Sequence, residues 1–192
     1  MTPDTIISIF LGVGLAASVG FRVFLPLFAL SFAAYLGVWE LNESWQWIGG
    51  LPALIVFGVA TLVEIFGYFI PWVDNALDSL AIPLAGVAGT AVMVSTVVDL
   101  DPVVTWSLAI IAGGGTATAI KGANATGRLA SSSTTGGLAN PVVSTIETGT
   151  AVAVSTASIL APPIAAILVI IILIIIFRIY RKIRPRQKKK PQ

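Results

Sequence analysis

Residues 162–190 read PPIAAILVIIILIIIFRIYRKIRPRQKKK. Two prolines open the stretch, where the first turn of a helix has N–H groups without partners and loses nothing to a proline ring. Residues 164–177 are all apolar and mostly isoleucine, and a helix apolar on every side faces lipid on most of them. About 20 apolar residues cover a hydrocarbon core about 30 Å thick. The basic residues Arg178, Arg181, Lys182, Arg184, Arg186, Lys188, Lys189 and Lys190 follow at once. The pattern predicts a final membrane span that delivers a basic tail to the cytoplasm.

The rest of the 192-residue chain agrees with that reading. It is 56% hydrophobic and 10% charged, with a mean hydropathy of +0.95, whereas soluble domains carry charge on about a quarter of their residues. The net charge of +2 hides an asymmetry: residues 1–177 hold three basic side chains against nine acidic ones, a net of −6. Basicity belongs to the tail, so no nucleic-acid partner is expected. With neither Cys nor His, the chain has no thiol or imidazole chemistry, and we expect no metal and no cofactor. Asp and Glu could supply a general acid and base for an enzyme acting on lipid, a third class, but they form no recognised catalytic constellation, so no catalytic residue is expected. Asp4 stands where a signal peptide needs positive charge, so the apolar stretch from Ile6 reads as retained membrane structure.

The same length ruler divides the remainder. Residues 6–39 are apolar apart from Arg22, too long for one ordinary span and short for two. Pro26 has no N–H for the carbonyl of Arg22, so residues 5–39 read as two short helices meeting near Arg22-Pro26, as a hairpin or as a discontinuous span. Residues 40–47 form an acidic loop with interfacial Trp residues. Residues 51–71 make a span interrupted by Glu64, residues 79–98 another that contains Pro83, and residues 103–120 a third that ends in a run of small residues suited to close helix packing. Residues 121–141 (KGANATGRLASSSTTGGLANP) suggest a flexible linker by composition or a re-entrant segment by position. A helix over 141–160 carries Glu147 in a small, hydroxyl-bearing stripe of Ser144, Glu147, Thr148, Ala151 and Ser155. The fold expected is therefore an all-α polytopic transmembrane helix bundle of about six to seven membrane segments, forming one domain over 1–177 with the tail 178–192 outside it.

Walking back from a cytoplasmic tail puts Lys121, Arg128, Asp74 and Asp78 at the cytoplasmic side and Asp99, Asp101, Glu40 and Glu43 at the other. Glu64 lies seven residues before Pro71 and Glu147 seven after Asn140, so both carboxylates sit at one depth, about 10 Å up their helices. Facing lipid there would cost about 3 kcal/mol or more. Both are expected to face inward, together with Arg22, Lys121, Asn124, Arg128, Asp74, Asn75, Asp78 and Asn140, as a polar cavity that forms a substrate or ion pathway. Two readings of the glutamates stand open: a cation- or proton-handling site, or structural pairs with Arg22 or Arg128. For Asp74, Asn75 and Asp78 the alternatives are a ligand role and a cap on the following helix.

The strings GFRVFLPLFAL, PWVDNALD, AGGG and TGGLANPVV together resemble an uncharacterised bacterial membrane family, domain of unknown function 4126, over roughly residues 5–175. The resemblance implies a multi-helix fold in a bacterial inner membrane and no chemistry. An internal echo, GVGLAASVGFR at Arg22 and GGGTATAIKGANATGR at Arg128, fits an inverted repeat or shared simple composition. Two function classes follow: a small transporter or channel-like protein for a small polar solute, ion or lipid headgroup, with proton coupling; or a scaffold whose small-residue faces bind other membrane helices. The expected partners are the bilayer, anionic lipid headgroups at the tail, a small solute or ion, and further copies of the chain as an open alternative.

Overall fold

The computed structural model describes residues 2–183, apart from the side chains of residues 71, 72, 74 and 75. Eight α-helices follow in order and no strand occurs among the described residues: α1 (Pro3–Val19), α2 (Phe24–Tyr35), α3 (Leu51–Gly67), α4 (Pro71–Thr96), α5 (Pro102–Leu108), α6 (Gly115–Thr135), α7 (Asn140–Leu160) and α8 (Pro162–Ile183). The chain is a polytopic all-α transmembrane bundle. Stretches Ala76–Thr96, Pro102–Thr135, Asn140–Leu160 and Pro162–Lys182 are each long and apolar enough to cross a membrane. A 3-10 turn, Glu43–Gly49, meets α3 at 63° and supplies a fifth candidate. Four or five candidate spans plus the two short helices α1 and α2 make up the membrane segments, so the expected six to seven is an approximate count.

Those short helices form a hairpin that does not cross. At one end of the bundle, the mouth, Ser8 Oγ near the start of α1 accepts from Val98 N at 3.4 Å. The chain just after α2 lies at the same end: Asn42 N donates to Ser95 O at 2.9 Å, and Trp39 Nε1 to Ile159 O at 3.1 Å. Between these anchors α1 descends, the chain turns over residues 20–23, and α2 returns. Twelve residues of α2 rise about 18 Å, so the turn stops inside a core about 30 Å thick. Pro26 falls in the first turn of α2, where its missing N–H is harmless. The break therefore precedes the proline rather than being made by it.

The segment 121–140, expected as linker or re-entrant, is neither. It continues α5 through a π-helical stretch, Ala109–Gly114, and α6 as one 34-residue helix, closed by Gly136 at φ 62°, a left-handed cap that glycine adopts without penalty. Polar composition is compatible with helix here because Thr126, Ser133, Thr134 and Thr135 turn their hydroxyls back onto carbonyls four residues earlier, which satisfies them within the helix. Such a helix is about 51 Å long, so its polar end extends beyond the apolar layer at the end opposite the mouth. We call this the tail end, because α8 leaves the bundle there through Arg178, Arg181 and Lys182. The rest of the basic tail, Arg184, Arg186, Lys188, Lys189 and Lys190, lies outside the described residues. The two arms of the sequence echo are built differently: residues 20–22 end a helix, whereas Gly127 and Arg128 sit inside one.

Small residues bring these helices together, as the glycine run suggests. A Cβ on Gly113 would lie 2.6 Å from Gly89 O, and one on Gly89 2.6 Å from the Cβ of Ala117. On the other side of α1, Ser18 Oγ donates to Ala151 O at 2.8 Å and lies 2.8 Å from Ser155 Oγ. The hydroxyl stripe of α7 is thus packing surface against α1 over this stretch. Leu11, Leu15, Val19, Leu27 and Leu30 fill the space between the hairpin and α4.

Candidate functional site

The hairpin turn breaks two helices inside the bundle, leaving carbonyls at the end of α1 and N–H groups at the start of α2 that no solvent reaches. Side chains from two other helices, α3 and α6, meet them. Glu64, near the end of α3, accepts from Val23 N at 2.7 Å through Oε1 and from Phe24 N at 3.0 Å through Oε2. A carboxylate at a helix N-terminus is stabilised both by the hydrogen bonds and by the aligned peptide dipoles. On the α1 side, Lys121 Nζ donates to Phe21 O at 3.3 Å and Asn124 Nδ2 to Gly20 O at 3.1 Å. Cation meets helix C-terminus and anion meets helix N-terminus within a single turn.

Arg22, fully buried, points from the turn towards α7. Its Nε donates to Thr148 Oγ1 at 3.0 Å; its Nη2 donates to Ser144 O at 2.8 Å and to Ser144 Oγ, and lies 4.0 Å from Glu147 Oε2. Nη1 of Arg22 is buried without a hydrogen-bond partner. Glu147 is held chiefly by Arg128 of α6, through Nη2 at 2.9 Å and Nε at 3.3 Å to each carboxylate oxygen. Arg128 Nη1 in turn lies 3.7 Å from Asp78 Oδ2, whose side chain is 28% exposed.

Tyr68 stands between these cations. The guanidinium carbons of Arg22 and Arg128 lie 4.1 Å and 4.4 Å from its ring centroid, and Lys121 Nζ lies 3.4 Å from its hydroxyl. A ring face offers negative quadrupole to a guanidinium, worth about 2 kcal/mol when desolvated, and it keeps two like charges apart without adding a formal charge. Sequence reasoning did not find Tyr68, although it follows Glu64 by one helical turn and so shares its face. Ser144 and Thr148 were legible as a stripe with Glu147, but not as ligands of Arg22.

Of the expected site residues, Arg22, Glu64, Asp78, Lys121, Asn124, Arg128 and Glu147 therefore converge. Asn140 lies two turns before Glu147, and its Nδ2 donates to Ser132 Oγ at 3.2 Å across the α6–α7 turn. Asp74 and Asn75 lie in the first turns of α4, which begins at Pro71 with Ile70 as its N-cap. That start removes the expected cap at 74 or 75, since the helix is already under way; their side chains lie outside the description. Arg22, Lys121, Arg128, Glu64 and Glu147 are each at most 4% exposed, so the site is a closed network and not the open polar cavity expected. A cavity with polar walls lies at the mouth: about 1060 Å³, lined by Asp4, Glu40, Glu43 and Asp99 among others.

The role of Glu64 is open to direct test. Glu64→Gln keeps one carbonyl oxygen for the α2 N–H groups and turns an NH₂ towards the other. We expect a loss of about 1.5–3 kcal/mol of unfolding free energy, the range for hydrogen bonds to a charged group, read by denaturant unfolding in detergent. An unchanged midpoint would mean that the turn does not depend on this carboxylate.

Fold and site together define a polytopic helical membrane protein with a non-crossing helical hairpin whose turn is pinned by buried, charge-balanced side chains. Residues 9–182 match the model of the family described as a domain of unknown function (DUF4126). The chain belongs to that family. No curated protein and no solved structure matches it.

Proposed function

We propose that the protein is a small transporter or channel-like membrane protein in which the hairpin turn is the barrier and the network around Arg22 handles protons and a small polar solute or ion. One observation carries the reading: three buried cations and three carboxylates meet at a helix break that ends inside the apolar layer. Apolar side chains of equal volume would hold a purely structural plug as well or better, because desolvating ion pairs costs more than their attraction commonly returns. Ionisable groups within a membrane by default mark a pathway. The mouth cavity lies above the hairpin and the partly exposed Asp78 below it, so the network occupies the closed stretch between two hydrated ends. The basic tail supports a cytoplasmic C-terminus by the positive-inside rule, and the family resemblance supports the bacterial inner membrane. An inverted repeat would make the Arg22 turn and the Arg128 segment counterparts; the proposal rests on the Arg22 turn alone.

Purified protein in liposomes with an entrapped pH-sensitive dye tests this. With potassium chloride and valinomycin on both sides of the membrane, an imposed pH gradient is expected to collapse in wild-type vesicles and to decay far more slowly in Glu147→Gln vesicles at equal protein incorporation. Wild-type vesicles no leakier than protein-free ones would remove the proton-coupled reading.

A second reading has its own observation. A groove of about 770 Å³ opens outward between α4 and α5–α6, lined by Trp45, Gly86, Thr90, Trp106, Gly115 and Thr118 among others, and a Cβ on Gly115 would meet nothing within 4 Å. Small residues with open space favour another helix, which supports the scaffold class; co-purifying membrane proteins lost on Gly115→Leu would favour it.

A further inference from the structure

The arrangement around Glu147 narrows the class of solute, on the proposed reading that the network is a transport site. We infer that Arg22 and Arg128 form a binding site for a small anion, and that the Glu147 carboxylate occupies it in the closed state as a tethered substitute.

Three observations lead there. First, Glu147 is the group shared by the two guanidiniums, at 2.9 Å from Arg128 Nη2 and 4.0 Å from Arg22 Nη2. Planar guanidinium forks recognise carboxylate and oxyanion geometry in general, not one side chain in particular. Second, the other carboxylates described at the network are committed elsewhere: Glu64 to the N–H groups of Val23 and Phe24, and Asp78 to the outer side of Arg128 at 3.7 Å. If Glu147 loses its charge, neither of them is placed to replace it. Third, Arg22 Nη1 is buried and donates to nothing among the described residues, which leaves a donor in reserve at the same guanidinium. A cation, by contrast, would enter among Arg22, Lys121 and Arg128 and find each described carboxylate of the network already matched.

The sequence of events is electroneutral. A proton from the tail-end solution binds the Glu147 carboxylate, the neutral side chain gives up its hydrogen bonds to Arg128, and a small anion takes its place between the guanidiniums. The network then carries the same net charge as before, so one proton and one anion enter together. The charged and polar groups that face Glu147 from the packed elements are Arg22 from the hairpin turn, Arg128 and Lys121 from α6, Tyr68 and Glu64 from the end of α3, and Asp78 from α4. On α8 the described charged residues, Arg178, Arg181 and Lys182, are all exposed.

Anion binding can be measured without flux, so that its failure is separate from failure of the transport reading. Glu147→Ala removes the tethered carboxylate and leaves room for a small one. In detergent, sodium formate is expected to raise the melting temperature of Glu147→Ala by several degrees over sodium gluconate at the same ionic strength. Glu147→Ala/Arg128→Met should lose that difference. Glu147→Gln, which keeps the side chain's length and removes its charge, should show a smaller formate effect of the same sign, an arm that holds even if Glu147→Ala fails to fold. Equal melting temperatures in formate and gluconate, for Glu147→Gln and for any folded Glu147→Ala, would overturn the inference. So would a formate effect that survives Arg128→Met. Proton flux without a formate effect would leave transport standing and remove only the anion; a formate effect without flux would do the reverse.

Discussion

Arg128→Met is expected to be the most damaging single substitution in the chain. Methionine matches much of the arginine stem in length and apolar character, so packing against the Tyr68 ring survives in part. The loss is electrostatic: Glu147 keeps only the 4.0 Å approach of Arg22, and Asp78 loses the cation 3.7 Å from it. Removing one partner of a buried ion pair costs about 3–5 kcal/mol, because the remaining charge stays desolvated and unpaired. Denaturant unfolding of detergent-purified protein would register this as a large fall in midpoint. The compensating change separates charge from shape. In Arg128→Met/Glu147→Leu the stranded carboxylate is gone, and most of the loss should be recovered, since an apolar pair of similar volume is often as stable as the ion pair it replaces. If the double variant were no better than the single one, Arg128 would act through packing, and the electrostatic description of the network would be wrong.

Gly113→Leu is the second large effect, and it tests the scaffold beside the site. A Cβ at position 113 would meet Gly89 O at 2.6 Å and the Cβ of Met93 at 2.6 Å. Backbone is among the atoms struck, so no rotamer change relieves the contact, and the π-helical stretch must move away from α4. Overpacking of this kind costs about 3 kcal/mol at the upper end of its usual range. Gly115→Leu, two residues on, has open space around its Cβ and should stay within about 0.5 kcal/mol of wild type, as surface substitutions do. Comparable losses at both positions would mean that helix propensity, and not the α4 contact, governs the glycine run.

The difference between these neighbouring glycines shows how far reading alone reaches. AGGG at 112–115 announces close helix contact, because nothing else in lipid rewards so many small residues in a row. Which glycine is pressed and which is open depends on the register of a partner helix and on the π-helical stretch, where one extra residue per turn rotates the face. The segment 121–140 misled for a related reason. Its Ser, Thr and Gly content signals weak intrinsic helix formation, but α6 is supported by packing against α4 and α1 and by hydroxyls that bond along its own axis. Context outweighed propensity there.

Hydrophobic length and charge placement are local quantities, and they determined a great deal from the residues alone. They established the membrane class, the final span with its prolines at 162 and 163, the interruption at Arg22, and the common depth of Glu64 and Glu147. Tertiary structure alone decided that α1 and α2 turn back together, that Glu64 serves main-chain N–H groups and not a cation, and that Tyr68 separates two guanidiniums. Those facts depend on which groups, more than 40 residues apart in several cases, meet where water is excluded. A buried donor must find an acceptor, but the sequence lists every candidate and packing selects one.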